Sequence, residues 1–146
     1  MTSTAHNLMA QLVRRLPVTP PSMALSQGLN LALRLKLLPE DLSWLEGRRF
    51  QIEASDIGLQ CRVQFVQGRF STAKSTEVTI RASTADFLLM MRRKVDPDTL
   101  FFQRRLMLEG DTDLGLAIKN LLDSLDVTPI IDRWPLPASW KQRLVN

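Results

Sequence analysis

The 146-residue chain has one cysteine, one histidine, no tyrosine and six glycines. A single cysteine, Cys61, rules out an internal disulfide and fits a reducing compartment. A single histidine, His6, argues against a histidine-built metal centre or a serine–histidine pair. The glycines do not fall in a phosphate-cradling spacing, Gly110 and Gly115 included. No apolar run reaches the roughly 18 to 20 residues of a membrane span. The longest greasy segment, Leu29 to Leu38, is broken by Asn30, Arg34 and Lys36. The N-terminus has no basic stretch followed by an apolar one, so no secretory signal is read and a cytoplasmic location is expected.

Acidic residues are missing from one region. Residues 1–39 contain Arg14, Arg15, Arg34 and Lys36 and no Asp or Glu, and the other 107 residues carry 15 basic and 15 acidic side chains. The net charge of +4 therefore belongs to an apolar N-terminal arm. That pairing favours an anionic membrane surface, met reversibly on the inner face of the cell membrane by Arg14, Arg15, Arg34 and Lys36. The alternative is an arm that packs on the domain or on a second subunit. A nucleic-acid partner is not expected, because the remainder is neutral and lacks tyrosines for stacking between basic residues.

What is present is apolar periodicity. Leu8, Met9, Leu12, Val13 and Leu16 share a helical face, and Pro17, Pro20 and Pro21 then break the helix. Residues 22–38 are read as a second helix, in which Ser26, Asn30 and Arg34 form a narrow polar stripe. Phe50, Ile52 and Ala54 alternate as a strand, as do Ile57, Leu59, Cys61, Val63 and Phe65. Gln67-Gly68 is a hairpin turn leading to a strand over 69–73, and Val78, Ile80 and Ala82 form another. A helix over 85–94 is capped by Ser83 or Thr84. Asp96-Pro97-Asp98 starts a short helix carrying Leu100, Phe101 and Phe102. A last strand covers 105–110, with Arg105 opposite Leu106 and paired to Glu109, and Asp111 caps a helix to Leu125. The pattern predicts an α+β fold: a single mixed five-stranded sheet with helices covering mainly one face. The organisation is an arm (1–39), a domain (40–126) and a tail (127–146) with Trp134 and Trp140.

No set of side chains assembles for catalysis, and no metal or cofactor is implied. Asp96, Asp98, Asp111 and Asp113 are accounted for as caps and dipole partners. Cys61 reads as a small buried hydrophobe. What remains is bulk: Phe87, Leu88, Met90, Met91, Leu100, Phe101, Phe102, Leu106, Met107, Leu108, Ile118 and Leu122. These side chains either fill an ordinary core or line a gap between sheet and helices that takes a lipid.

The segments DPDTLFFQRRLMLEGDTDLGLAIKNLLDSLD, from Asp96 to Asp126, and LSWLEGRRFQIEASDIGL, from Leu42 to Leu59, carry a resemblance. They resemble sterol carrier protein type 2 domains, whose last strand and last helix meet at a Gly-Asp junction, here Gly110-Asp111. They are most similar to the bacterial subgroup that acts as an accessory factor in ubiquinone biosynthesis. The resemblance implies an apolar cavity between sheet and helices. It implies lipid binding without catalysis and a role in oxygen-independent ubiquinone synthesis. The implied ligands are isoprenoid quinone precursors or phospholipids, presented at the membrane to ubiquinone-biosynthesis enzymes or accessory proteins. A membrane-recruiting adaptor with a solid interior is the competing reading, and a homodimer stays open.

Overall fold

Period-two alternation across the middle of the chain builds one sheet. In the computed structural model, which describes residues 19–125 together with Asn7, Leu8 and Gln11, five strands form in chain order. They are β1 (Arg49–Ala54), β2 (Leu59–Val66), β3 (Arg69–Thr72), β4 (Val78–Ala82) and β5 (Met107–Gly110). Their spatial order is β3-β2-β1-β4-β5, with β1 and β4 parallel and the other pairs antiparallel. Registers Phe50↔Val63, Phe50↔Val78 and Ile80↔Leu108 put the alternating apolar residues on one face.

The opposite face is a polar ladder running across four strands. Arg62 Nε donates to Gln51 Oε1 at 2.8 Å, and Glu53 accepts from Gln60 at 2.8 Å and from Arg81. Arg81 also donates to Glu109 at 3.0 Å. Arg105 does not pair with Glu109 as expected. It reaches instead to Asp86, which is buried, because Arg105 lies ahead of β5 in a turn where Arg104 takes φ +60°.

Within residues 19–125, four α-helices accompany the sheet: α1 (Thr19–Arg34), α2 (Thr84–Met91), α3 (Pro97–Phe102) and α4 (Thr112–Ser124). The expected break at Pro20 and Pro21 is corrected. Both lie in the first turn of α1, where a missing N–H costs nothing. α1 ends earlier than residue 38 because Lys36 takes φ +58° and Leu37 N–H bonds back to the Ala32 carbonyl at 2.9 Å. α2 stops before residue 94 in the same manner, with Arg93 at φ +56° and Lys94 N–H on the Leu89 carbonyl. Ile57 falls in the turn before β2, and Leu106 precedes β5. Asp96 and Asp111 cap α3 and α4 as expected, accepting from the N–H of Thr99 and Leu114. Ser83 is the cap of α2.

Most of the buried apolar side chains form one cluster between the apolar sheet face and the helices, with Leu45, Ile80 and Leu100 fully covered. The expected helix carrying Leu8 to Leu16, Arg14, Arg15 and the tail with its tryptophans lie outside the described residues, except that Asn7, Leu8 and Gln11 are helical.

The Asp86–Arg105 pair joins α2 to the approach of β5. Replacing Arg105 with Leu leaves a buried carboxylate without its cation and is expected to cost about 3 kcal/mol in urea unfolding. The double change Asp86→Leu with Arg105→Leu recovers most of that loss. An equal loss in both variants would show that packing, not the pair, holds this corner.

Candidate functional site

α1 contributes Leu25 and Leu29 to the interior, and α4 contributes Ile118, Leu121 and Leu122. They part over the centre of the sheet, above Phe50 and Ile52 of β1, with Leu38 and Leu125 at the margins. All nine side chains around this gap are apolar, and its volume is about 30 Å³. That is room for about one water molecule, in a place with no polar group to hold one. Chemically the site offers contact to hydrocarbon and nothing to a charge.

Helix α1 closes this gap through a different face. Of the stripe noticed in the sequence, Ser26 and Asn30, with Ser22 before them, lie along the sheet, and Arg34 stays exposed. Asn30 accepts from the Phe70 N–H and donates to the Phe70 carbonyl, both at 2.8 Å. The N–H of Arg62 donates to Ser22 Oγ at 2.8 Å. β3 is an edge strand, so Asn30 satisfies backbone groups that the sheet leaves unpaired. α1 is thereby pinned to the β2–β3 edge while its leucines cover the apolar face.

Of the residues expected to line a cavity, Ile118 and Leu122 border the gap. Leu100 and Leu106 are fully buried in the main cluster, and Phe87, Phe101 and Leu108 pack half-buried against it. Leu88 and Met91 point outward, and Phe102 is 81% exposed. Their expected inward placement is corrected. α2 shows the sheet its Asp86–Met90 side, and α3 is too short to bury both phenylalanines. Phe101 lies instead beside Lys119, whose ammonium is 5.6 Å from the ring centroid and pairs with Asp98. Met90 is buried, and Met107 sits exposed on the polar sheet face. Sequence reasoning missed the α1 side of the gap, although the narrow polar stripe left Leu25 and Leu29 nowhere to go but inward. Arg34 and Lys36 stand at the end of α1.

Among the described residues no three His, Cys, Asp or Glu side chains group to hold a metal, and no helix is long and apolar enough to cross a membrane. Cys61 sits on the apolar face opposite Ile52, and burial pushes its thiol up to about 11. At pH 8 its thiolate fraction is then about 100-fold below that of an ordinary thiol. Ellman's reagent is expected to react that much more slowly with the folded protein than with protein in urea. Equal rates would show that β2 opens freely.

The Gly110-Asp111 junction fixes where α4 starts. Asp111 N–H bonds to the Glu77 carbonyl at 2.9 Å, and Arg48 reaches Asp111 at 2.8 Å and Glu77 at 3.0 Å. The N–H of Leu114 holds the Asp111 carboxyl below its usual range, burial opposes it, and the charge and hydrogen bond of the Arg48 guanidinium add to the lowering. Burial pushes Glu77 up, but the N–H of Arg49 and the charges of Arg48 and Arg49 together outweigh it and leave the carboxyl lowered.

Comparison with known proteins places this arrangement. Residues 29–123 match the SCP-2 sterol transfer family. The chain is 39% identical over 123 residues to the ubiquinone biosynthesis accessory factor UbiT of Escherichia coli strain K12, covering 83% of this chain and 71% of that protein. Among solved structures, the UbiJ-SCP2 ubiquinone synthesis protein aligns with a TM-score of 0.46 at 17% identity, over 84% of this chain and 92% of that one. The apo form of sterol carrier protein 2 from Yarrowia lipolytica aligns with a TM-score of 0.38 at 13% identity, over 70% and 80%. With a family match running from within α1 to the last turn of α4, the chain belongs to the SCP-2 sterol transfer family.

Proposed function

We propose that the protein is a non-catalytic, lipid-binding accessory factor of ubiquinone biosynthesis that holds or presents polyprenylated quinone precursors at the membrane surface. The observation that carries this reading is the wholly apolar gap over Phe50 and Ile52, between α1 and α4. The likeness to a protein named as a ubiquinone biosynthesis accessory factor supports the pathway, and the resemblance described above supports its oxygen-independent branch. Burying each methylene of an isoprenoid tail contributes about 0.8 kcal/mol, so a partly inserted tail binds without polar contacts. In this reading Ile118, Leu122, Leu25 and Leu29 touch the tail, and Arg14, Arg15, Arg34 and Lys36 meet the anionic membrane. The gap admits a tail only if α1 swings away from α4. Native mass spectrometry of the protein purified from its expression host is expected to show bound isoprenoid or phospholipid. Finding none, together with no uptake of a fluorescent quinone analogue, overturns the reading.

A second reading has its own observation. Ligand pockets usually exceed about 300 Å³, and the apolar gap is a tenth of that size. A membrane-recruiting adaptor needs no interior space. It predicts the same purified protein free of lipid but still retaining ubiquinone-biosynthesis enzymes on vesicles.

A further inference from the structure

On the side of α1 away from the apolar gap lies a second pocket of about 380 Å³. It is bordered by Gln27, Asn30, Leu33 and Arg34 of α1 and by Gly68 and Arg69 of the β2–β3 hairpin. Two arginines face it and no acid does. Elsewhere Arg48, Arg49, Arg81 and Arg105 each meet a carboxylate. Among the described residues, Arg34 and Arg69 meet no carboxylate, as is also true of Arg62, Arg92, Arg93 and Arg104, but only Arg34 and Arg69 border one pocket together. Arg34 and Arg69 are both exposed on the border of this cavity, and the Glu46 carboxylate near the turn is taken up by the N–H groups of Gln67 and Gly68, so an anion seated in the cavity meets two positive charges.

The walls are held in place. Asn30 is committed through both amide atoms to the Phe70 backbone. The hairpin turn is held from behind by Glu46, whose carboxylate accepts from the N–H of Gln67 and Gly68. Gln67 and Gly68 take φ +55° and +73°, the geometry of a tight two-residue turn, which fixes where Arg69 leaves the strand. Gln27 brings a side-chain amide to the same space, and Leu33 gives it an apolar floor packed on the core.

We propose that this pocket is an oxyanion site that takes a phosphate group, with Arg34 and Arg69 as the paired guanidinium donors and Gln27 as a neutral one. Guanidinium forks match phosphate oxygens two at a time, which a lysine cannot do. The phosphate belongs either to a lipid head group or to a soluble phosphorylated molecule. The site does not depend on the interior carrying a lipid, so it stands or falls apart from the function proposed above. It shares only Arg34 with the membrane-contact set.

The full chain is titrated with inorganic phosphate at fixed ionic strength, followed by amide and arginine side-chain NMR. It is also sedimented with phosphatidylcholine vesicles with and without phosphatidylglycerol. Phosphate is expected to shift Gly68, Arg69 and the Gln27 side chain, and Arg69→Gln or Arg34→Gln abolishes those shifts. Arg69→Gln lowers binding to the anionic vesicles about fivefold if the source is a lipid head group. Unchanged vesicle binding with the phosphate shifts lost assigns the site to a soluble phosphorylated molecule. Lys74→Gln removes one charge outside the pocket and is the control. The proposal is overturned if phosphate leaves these signals in place, or if Lys74→Gln weakens phosphate and vesicle binding as much as Arg69→Gln does.

Discussion

Gly110→Ala is expected to lose at least about 4 kcal/mol of stability, enough to leave much of the chain unfolded at 37 °C. Two effects add. Gly110 takes φ +108°, where an L side chain is strained. A Cβ built there would stand 2.4 Å from the Glu77 carbonyl oxygen and 3.1 Å from the Val78 Cα, both backbone atoms that cannot swing aside. The same carbonyl accepts the Asp111 N–H, so moving it also loosens the start of α4 and the Arg48 contacts around it. Gly68→Ala is the comparison. It meets a similar backbone angle, φ +73°, but open space, and should cost about 1 kcal/mol. Urea titrations followed by circular dichroism separate the two. If Gly110→Ala is no worse than Gly68→Ala, the close approach to Glu77 does not govern the junction.

The junction also shows why parts of this fold could be read in advance. Strand alternation from Phe50 to Phe65, the Gln67-Gly68 turn and the caps Asp96 and Asp111 are local. Each depends on a few neighbouring residues whose chemistry has one good structural answer. Helix ends were less legible, because three of them close on basic residues in the left-handed conformation, Lys36, Arg93 and Arg104, where glycine is the usual signal. The partner of Arg105 was hidden for a different reason. Glu109 is four residues away and on the same strand face in an ideal register, but the strand starts at Met107, and the acid that wins is Asp86, nineteen residues back. Such pairings are set by tertiary placement, which no local pattern carries.

The site was half legible. Ile118 and Leu122 follow from the amphipathic stripe of α4. Phe102 misled because its neighbours Leu100 and Phe101 are inward-facing, and a six-residue helix presents only one and a half turns. The α1 side of the gap is hidden in the sequence because residues 1–39, basic and free of acids, read as an arm apart from the domain. Ser22 and Asn30 do the reverse. They are the polar groups that attach it to a sheet edge.

That attachment makes Asn30 the residue on which the lipid-binding and solid-core readings separate. Asn30→Ala leaves the N–H and carbonyl of Phe70 without their side-chain partner, in a partly buried edge strand. Each such group costs about 1–3 kcal/mol when unsatisfied, so a total loss of about 2–4 kcal/mol is expected in urea. Ser26→Ala is the control on the same stripe. Its hydroxyl donates only within α1, to the Ser22 carbonyl, and its loss should cost well under about 1 kcal/mol. If α1 is the cover of the apolar gap, weakening its tie to β3 raises the population in which α1 stands away from α4. Uptake of a fluorescent polyprenyl analogue by Asn30→Ala is then faster than by the parent, measured at a temperature where both are folded, while Ser26→Ala takes it up at the parent rate. A variant that is destabilised but loads no faster makes α1 a fixed part of the core, and the lipid must enter elsewhere or not at all.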